Sequence, residues 1–228
     1  MTGWSTERGI RCDVPGLPEW LEPLATAVDG VLARDLTRFV PPPEGGRESA
    51  VLMLLGEDVA GPDILVIERA HDMRAHAGQP AFPGGARDPQ DADATAVALR
   101  EAREETGLDP SGVEVFGILP TLWVPVSGFV VTPVLAWWRA PSPVTAMHEA
   151  EVASVHRISL GELADPANRM RVRHPSGYVG LGFDVRGLVV WGFTAGLISG
   201  MLDLGGWARP WDDSRIVDLA DDPREDVP

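Results

Sequence analysis

The chain contains no lysine; all 19 of its fixed cations are arginines, against 34 acids, for a formal net charge of -15 over 228 residues. An arginine-only complement reflects genome composition more often than function. The acid excess argues against unassisted binding to a nucleic acid polymer, which needs a basic surface to displace counterions. Small phosphorylated ligands stay open, because bound divalent cations reverse the local field. The single cysteine, Cys12, excludes an internal disulfide and fits a reducing cytoplasm. No stretch approaches the roughly 20 uninterrupted apolar residues of a membrane span. The first eight residues lack the basic start and apolar run of a secretory signal, so a cytoplasmic protein without membrane contact is expected. Hydrophobic residues, 44% of the total, suffice for one substantial core, and no internal repeat is present.

Residues 18–39 carry apolar positions at Leu21, Leu24, Val28, Val31, Leu32 and Leu36, close to a helical period. Prolines 41–43 and the pair Gly45-Gly46 then punctuate the chain. The apolar runs 50–55 and 64–67 read as strands of a hairpin or of neighbouring sheet positions. Residues 92–106 read as a helix closed by Gly107. Residues 113–119, 129–138 and 152–158 read as strands, the last followed by a short helix over 159–163. Residues 189–204 read as a C-terminal helix, with Gly192, Gly196 and Gly200 expected to allow close packing on the sheet. This order favours a single α/β or α+β sandwich. Three parts are expected: an N-terminal helical extension packed on the domain (1–45), the main domain (46–211) and an acidic, loose tail (212–228).

Glu101, Glu104 and Glu105 stand at i, i+3 and i+4, within an arc of roughly 100° on one helix face. Like charges at these spacings repel, and the helix dipole disfavours anions in the turns before Gly107 by about 0.3–1 kcal/mol each. A solvated acidic face would be the ordinary reading of three such glutamates. The neighbourhood shifts it, because Phe82-Pro83-Gly84-Gly85 precedes the helix by a short loop. Gly-Gly lets the backbone turn sharply and bring carbonyl oxygens close to a ligand. Carboxylates and a carbonyl are the hard oxygen ligands that Mg²⁺ or Mn²⁺ prefer, and a metal turns the repulsion into attraction.

The stretch from Gly85 to Leu108 resembles the Nudix box, whose pattern is Gly, five residues, Glu, seven residues, Arg-Glu-apolar-any-Glu-Glu-any-Gly-apolar. The second half is matched by Arg100-Glu101-Ala102-Arg103-Glu104-Glu105-Thr106-Gly107-Leu108. In the first half one extra residue restores the match, with Gly85 as the glycine and Asp91 in place of the glutamate. A second resemblance is to the coenzyme A pyrophosphatase subfamily, whose motif before the box is Leu-Leu-Thr-x-Arg-Ser-x3-Arg-x3-Gly-x3-Phe-Pro-Gly-Gly. Leu65, Arg69, Arg74, Gly78, Phe82, Pro83, Gly84 and Gly85 fall at those spacings, while Val66, Ile67 and Ala70 replace Leu, Thr and Ser. Residues 124–134 and 190–196 also resemble that subfamily, so the likeness extends over most of the chain.

The resemblance implies a Nudix-like α/β/α sandwich with a mixed central sheet, and a metal-dependent pyrophosphohydrolase. Its expected metal ligands are Glu101, Glu104, Glu105 and the Gly85 carbonyl, holding Mg²⁺ or Mn²⁺; Glu101 either binds metal or holds the attacking water. Arg100 pairs with a box glutamate and orients it, or is an ordinary surface ion pair. Glu151 aligns with a loop glutamate that completes the metal site or acts as general base; a solvated loop acid is an equal alternative. Arg69 and Arg74, with Phe82, are the implied substrate contacts, the arginines holding phosphates through paired donors. His71, His76 and His148 lack metal-ligand spacing. The tryptophans suit core or interface better than base stacking. The implied substrate is coenzyme A or an acyl derivative. The alternatives are ADP-ribose, NADH or dinucleoside polyphosphates, and, from another class, a non-catalytic nucleotide-binding module. The expected partner is a small-molecule nucleotide, and a homodimer is left open.

Overall fold

The computed structural model describes residues 6–39, 45–70 and 78–219. Among these, a nine-stranded sheet forms the centre. In chain order it contains β1 (Ile10–Arg11), β2 (Arg47–Asp58), β3 (Gly61–Arg69), β4 (Pro80–Ala81), β5 (Gly84–Ala86), β6 (Val113–Ile118), β7 (Leu122–Val124), β8 (Phe129–Trp138) and β9 (Val152–Ser159). The order across the sheet is β1-β6-β8-β2-β3-β4, with β5 beside β2, β7 beside β8 and β9 beside β3. Strands β2 and β8 run parallel, from Arg47 opposite Phe129 to Leu55 opposite Trp137. The other pairings in this sheet are antiparallel. A smaller sheet joins β10 (Arg169–Arg173), β11 (Val179–Val185), β12 (Leu188–Trp191) and β13 (Ile216–Asp218) in the order β12-β11-β10-β13. The helices are α1 (Glu22–Val28), α2 (Ala33–Leu36), α3 (Ala94–Thr106), α4 (Leu160–Ala164) and α5 (Gly192–Leu204).

The two central strands are near-continuous apolar runs because both of their faces are covered. Successive side chains of β2 point to opposite faces. Ala50, Leu52 and Leu54 pack with Val97, Ala98 and Ala102 of α3 and with Val134 and Ala136 of β8. Met53 and Leu55 pack on the other side with Leu24 and Val28 of α1 and Leu197 and Ile198 of α5. The result is an α+β protein whose main sheet lies between α3 and the other helices. Moving β2 by one residue would exchange the two sets, so the apolar alternation fixes its register.

Four local expectations change. The helical period over residues 18–39 resolves into α1 and α2, parted by Gly30 at φ 86°. Residues 189–204 are not one helix: the end of β12, with Val189, Val190 and Trp191, meets α5 at Gly192, whose φ of 65° ends the strand. β-branched and aromatic residues favour the pleated form there. The glycine spacing along α5 does not serve contact with a sheet. A Cβ on Gly196 would meet open space, and one on Gly200 would meet Leu36 of α2. The region read as a loose tail contributes β13, which pairs in parallel with β10. Among the described residues, no helix is long and apolar enough to cross a membrane.

Candidate active site

Helix α3 starts at Asp93, whose carboxylate accepts a hydrogen bond from the Ala96 N–H at 2.9 Å. It stops at Gly107, whose φ of 70° turns the chain while its N–H returns to the Arg103 carbonyl. Ala94, Val97, Ala98 and Ala102 lie buried on the sheet, and small side chains there allow a close approach. Glu105, three residues beyond Ala102, is carried to the same buried face. It is 6% exposed and accepts a hydrogen bond from the Gly84 N–H at 3.0 Å. Burial pushes its pKa up to about 8; the charges of Glu101 and Glu151 add to the rise, while the Gly84 N–H and Arg69 oppose it.

The Gly84-Gly85 pair does not form a sharp turn. Both glycines lie in β5, opposite Val51 and Ala50 of β2, and neither has positive φ. Their use is spatial. A Cβ on Gly84 would run into the Ala50 carbonyl and Val51, and one on Gly85 would run into the Glu101 carboxylate. The strand thereby lies directly against the acidic side of the helix. Burial is the main reason the Glu101 pKa is raised; Arg100 pulls it down, and Glu104 and Asp88 push it further up.

Arg100 joins these groups. Its Nη1 donates to Glu101 at 2.9 Å and to Glu104 at 3.0 Å. Its Nη2 donates to the Ala86 carbonyl at 3.1 Å and to Asp91 at 3.0 Å, and its Nε to Asp91 at 3.1 Å. Arg100 therefore pairs with two glutamates of the face. Asp91, 5% exposed, also accepts the Asp88 N–H at 2.8 Å, and its hydrogen bonds to Arg100 hold its carboxyl below the usual range. The acid at the displaced box position thus fixes the arginine that in turn fixes Glu101 and Glu104. Its signal in the sequence was the five-residue gap from Gly85.

Arg69 closes β3 beside this cluster. Its Nε is buried without a hydrogen-bond partner among the described residues, and its charge reaches Glu105. The Ala70 N–H donates to the Glu151 carbonyl at 2.9 Å, which brings the exposed Glu151 to the same edge. Arg74 lies outside the described residues. Phe82 is corrected as a substrate contact: it is 4% exposed and packed in the core with residues such as Met53 and Val66. Its ring anchors the loop before β5 and is unavailable to a ligand. Among the described residues, no three acidic, histidine or cysteine side chains converge closely enough to hold an ion. The glutamates share a helix face, but their carboxylates turn to Arg100 and to Gly84.

A mixed sheet carrying an Arg-Glu-x-x-Glu-Glu helix against a Gly-Gly strand defines a class, and the comparisons agree with it. A family model of the NUDIX domain matches residues 46–176. The uncharacterised Nudix hydrolase NudL of Citrobacter koseri is 42% identical over 159 residues, covering 67% of this chain and 79% of the relative. The protein of the same name from Escherichia coli K12 is 41% identical over 144 residues, covering 60% and 72%. Among solved structures, the Nudix hydrolase RenU of M. smegmatis is 26% identical with a TM-score of 0.45, over 53% of this chain and 75% of that one. The chain belongs to the Nudix hydrolase family.

Proposed function

We propose that this Nudix hydrolase cleaves the pyrophosphate of coenzyme A or an acyl-coenzyme A. Water forms a bond to one phosphorus as the anhydride P–O bond breaks, giving 4'-phosphopantetheine and adenosine 3',5'-bisphosphate. The observation that carries the reading is the meeting of the α3 glutamates with β5 and with Arg69. Acids and the Arg69 guanidinium there share one edge, as a phosphate-plus-metal site requires.

The chemistry of the donor set suits a divalent ion, which would have to draw together carboxylates that now turn to Arg100 and Gly84. Glu101, Glu104, Glu105 and the Gly85 carbonyl are hard oxygens, and among the described residues the buried Glu105 feels the charge of Arg69 but has no ion pair. When bound, Mg²⁺ or Mn²⁺ supplies charge neutralisation and a lowered pKa for water. The chain's own residues do the rest. Arg69 holds a phosphate oxygen through its guanidinium, Arg100 on Asp91 orients Glu101 and Glu104, and Glu151 is the general base approaching from the loop. The substrate class rests on the spacing of Arg69, Arg74 and Gly78 before Phe82-Pro83-Gly84-Gly85.

A substrate panel with Mg²⁺ and Mn²⁺ tests this. Coenzyme A and acetyl-coenzyme A are expected to exceed ADP-ribose, NADH and diadenosine polyphosphates in kcat/KM by about ten-fold or more. A preference for ADP-ribose would overturn the substrate, and binding without turnover of any of them would overturn the catalytic reading.

A further inference from the structure

On the outer face of α3 lies an open recess of about 420 Å³, a volume within the range of ligand pockets. Leu99, Arg100, Arg103 and Glu104 of the helix form one side, with Pro110, Met147 and His148 opposite. The far wall is held in place by the backbone. The Thr145 N–H donates to the Thr106 carbonyl at 3.0 Å, and the Met147 N–H to the Glu105 carbonyl at 3.0 Å. These bonds use carbonyls at the helix end that have no partner within the helix. They seat Met147 beside Gly107, yet leave its side chain 53% exposed at the recess. Leu99, Pro110 and Met147 make an apolar surface, and Arg103 supplies the cation. Among the described residues the Arg103 guanidinium has no hydrogen bond or ion pair and only a longer-range attraction to the exposed Asp109, whereas the neighbouring Arg100 has its donors engaged by Asp91, Glu101, Glu104 and Ala86. Glu104 belongs to both the recess and the acidic face.

We propose that this recess seats the adenosine end of the substrate, with Arg103 and His148 binding the phosphate monoester on the ribose and Met147 lying against the base. The proposal rests on the coenzyme A reading above. The two ends of such a substrate differ in chemistry. The pantetheine arm is neutral, whereas the adenosine end carries a monoester close to doubly charged near pH 7. A guanidinium with no hydrogen bond to the described residues discriminates between them, since Arg–phosphate pairing is geometrically specific. With the diphosphate at the acidic face beyond Glu104 and the monoester between Arg103 and His148, both walls are used at once. Arg103 is then a specificity-determining residue that separates coenzyme A from its dephospho form.

Calorimetric titration of the whole protein with adenosine 3',5'-bisphosphate and with 5'-AMP, in Mg²⁺, tests the site without turnover. The bisphosphate is expected to bind the wild-type protein about ten-fold tighter than AMP. In Arg103→Met that ratio falls to about two or less while the AMP Kd holds, which also reports an intact fold. Equal affinities in the wild type, or a preference that survives Arg103→Met, overturn the recess. Coenzyme A hydrolysis measured in parallel separates the two readings. A bisphosphate preference dependent on Arg103 in a protein that does not hydrolyse coenzyme A supports the recess and overturns the substrate. Hydrolysis of coenzyme A without that preference overturns the recess alone.

Discussion

Replacing Glu105 by glutamine sets stability and activity in opposite directions. The wild-type carboxylate is buried and accepts the Gly84 N–H at 3.0 Å; glutamine keeps an acceptor oxygen there and cannot ionise. In the native protein Glu105 titrates at about 8, against 4.5 as an unperturbed group. Between those values the folded state holds the extra proton, so wild-type stability falls as pH rises, by at most about 1.4 kcal/mol per pH unit. Over the whole interval the ceiling is about 5 kcal/mol, reached above pH 8. Glu105→Gln lacks this titration. In EDTA the two proteins are therefore expected to be closest in stability near pH 5, with the variant ahead by several kcal/mol at pH 9. Urea unfolding from pH 5 to 9 gives the difference curve directly, and titrations common to both proteins cancel in it. Adding Mg²⁺ at pH 8 is expected to stabilise the wild type by mass action and to leave the variant almost unmoved, with turnover lost. Parallel pH profiles for the two proteins would refute the reasoning.

Three further substitutions test the surrounding groups. Glu104→Gln, at a half-exposed position, is expected to lower turnover by at least about 100-fold, about 2.7 kcal/mol of transition-state stabilisation, with the melting temperature kept; a wild-type rate at saturating Mg²⁺ would contradict that. Gly85→Ala drives a methyl group into the Glu101 carboxylate, so kcat is expected to fall by about ten-fold or more while the circular dichroism spectrum is retained. Full activity would show that the close approach is not needed. Asp91→Asn loosens the hold on Arg100, which keeps only Glu101, Glu104 and Ala86 as strong partners. The half-saturating Mg²⁺ concentration is expected to rise several-fold, with about 1–3 kcal/mol of stability lost; an unchanged Mg²⁺ titration would remove Asp91 from its positioning role.

What could be read in advance follows from the range of the interactions. Strands β2, β3, β6, β8 and β9 and helix α3 carry their signals locally, in apolar runs and in the Gly107 stop, and they stand within a few residues of where the sequence puts them. Strand β10 does carry a local signal that the expectations above leave out, since Arg169-Met170-Arg171-Val172-Arg173 alternates charge with apolar residues at the strand period, whereas the glycines of β11 dilute its pattern. Strand β13 exists through its pairing with β10, a contact about 45 residues distant in the chain. In the site, the shared face of Glu101, Glu104 and Glu105 follows from helical spacing alone. The burial of Glu105 does not, because it depends on β5 reaching the helix. The same holds for Phe82, whose apolar ring satisfies a substrate contact and a core position equally until the packing decides. Nor does any local pattern place Met147 against Gly107, since two backbone hydrogen bonds of an irregular loop hold it there.

The three clustered acids are tolerated by two different means, and this determines how an ion enters. Arg100 neutralises Glu101 and Glu104 by direct pairing, while Glu105 avoids charge by staying protonated below about pH 8. A divalent ion that takes all three carboxylates can use the second oxygen of Glu101 and of Glu104 while Arg100 keeps the first, but it must expel the proton from Glu105. Metal binding is then linked to proton release, and apparent affinity rises with pH until Glu105 is ionised. Near pH 7 close to one proton is expected to leave per metal-binding event. Titrating the protein with Mn²⁺ in two buffers of different ionisation enthalpy counts that proton, and Glu105→Gln should abolish the buffer dependence. An affinity independent of pH between 6 and 8.5 would mean that the ion does not use Glu105, and the buried glutamate would then be structural.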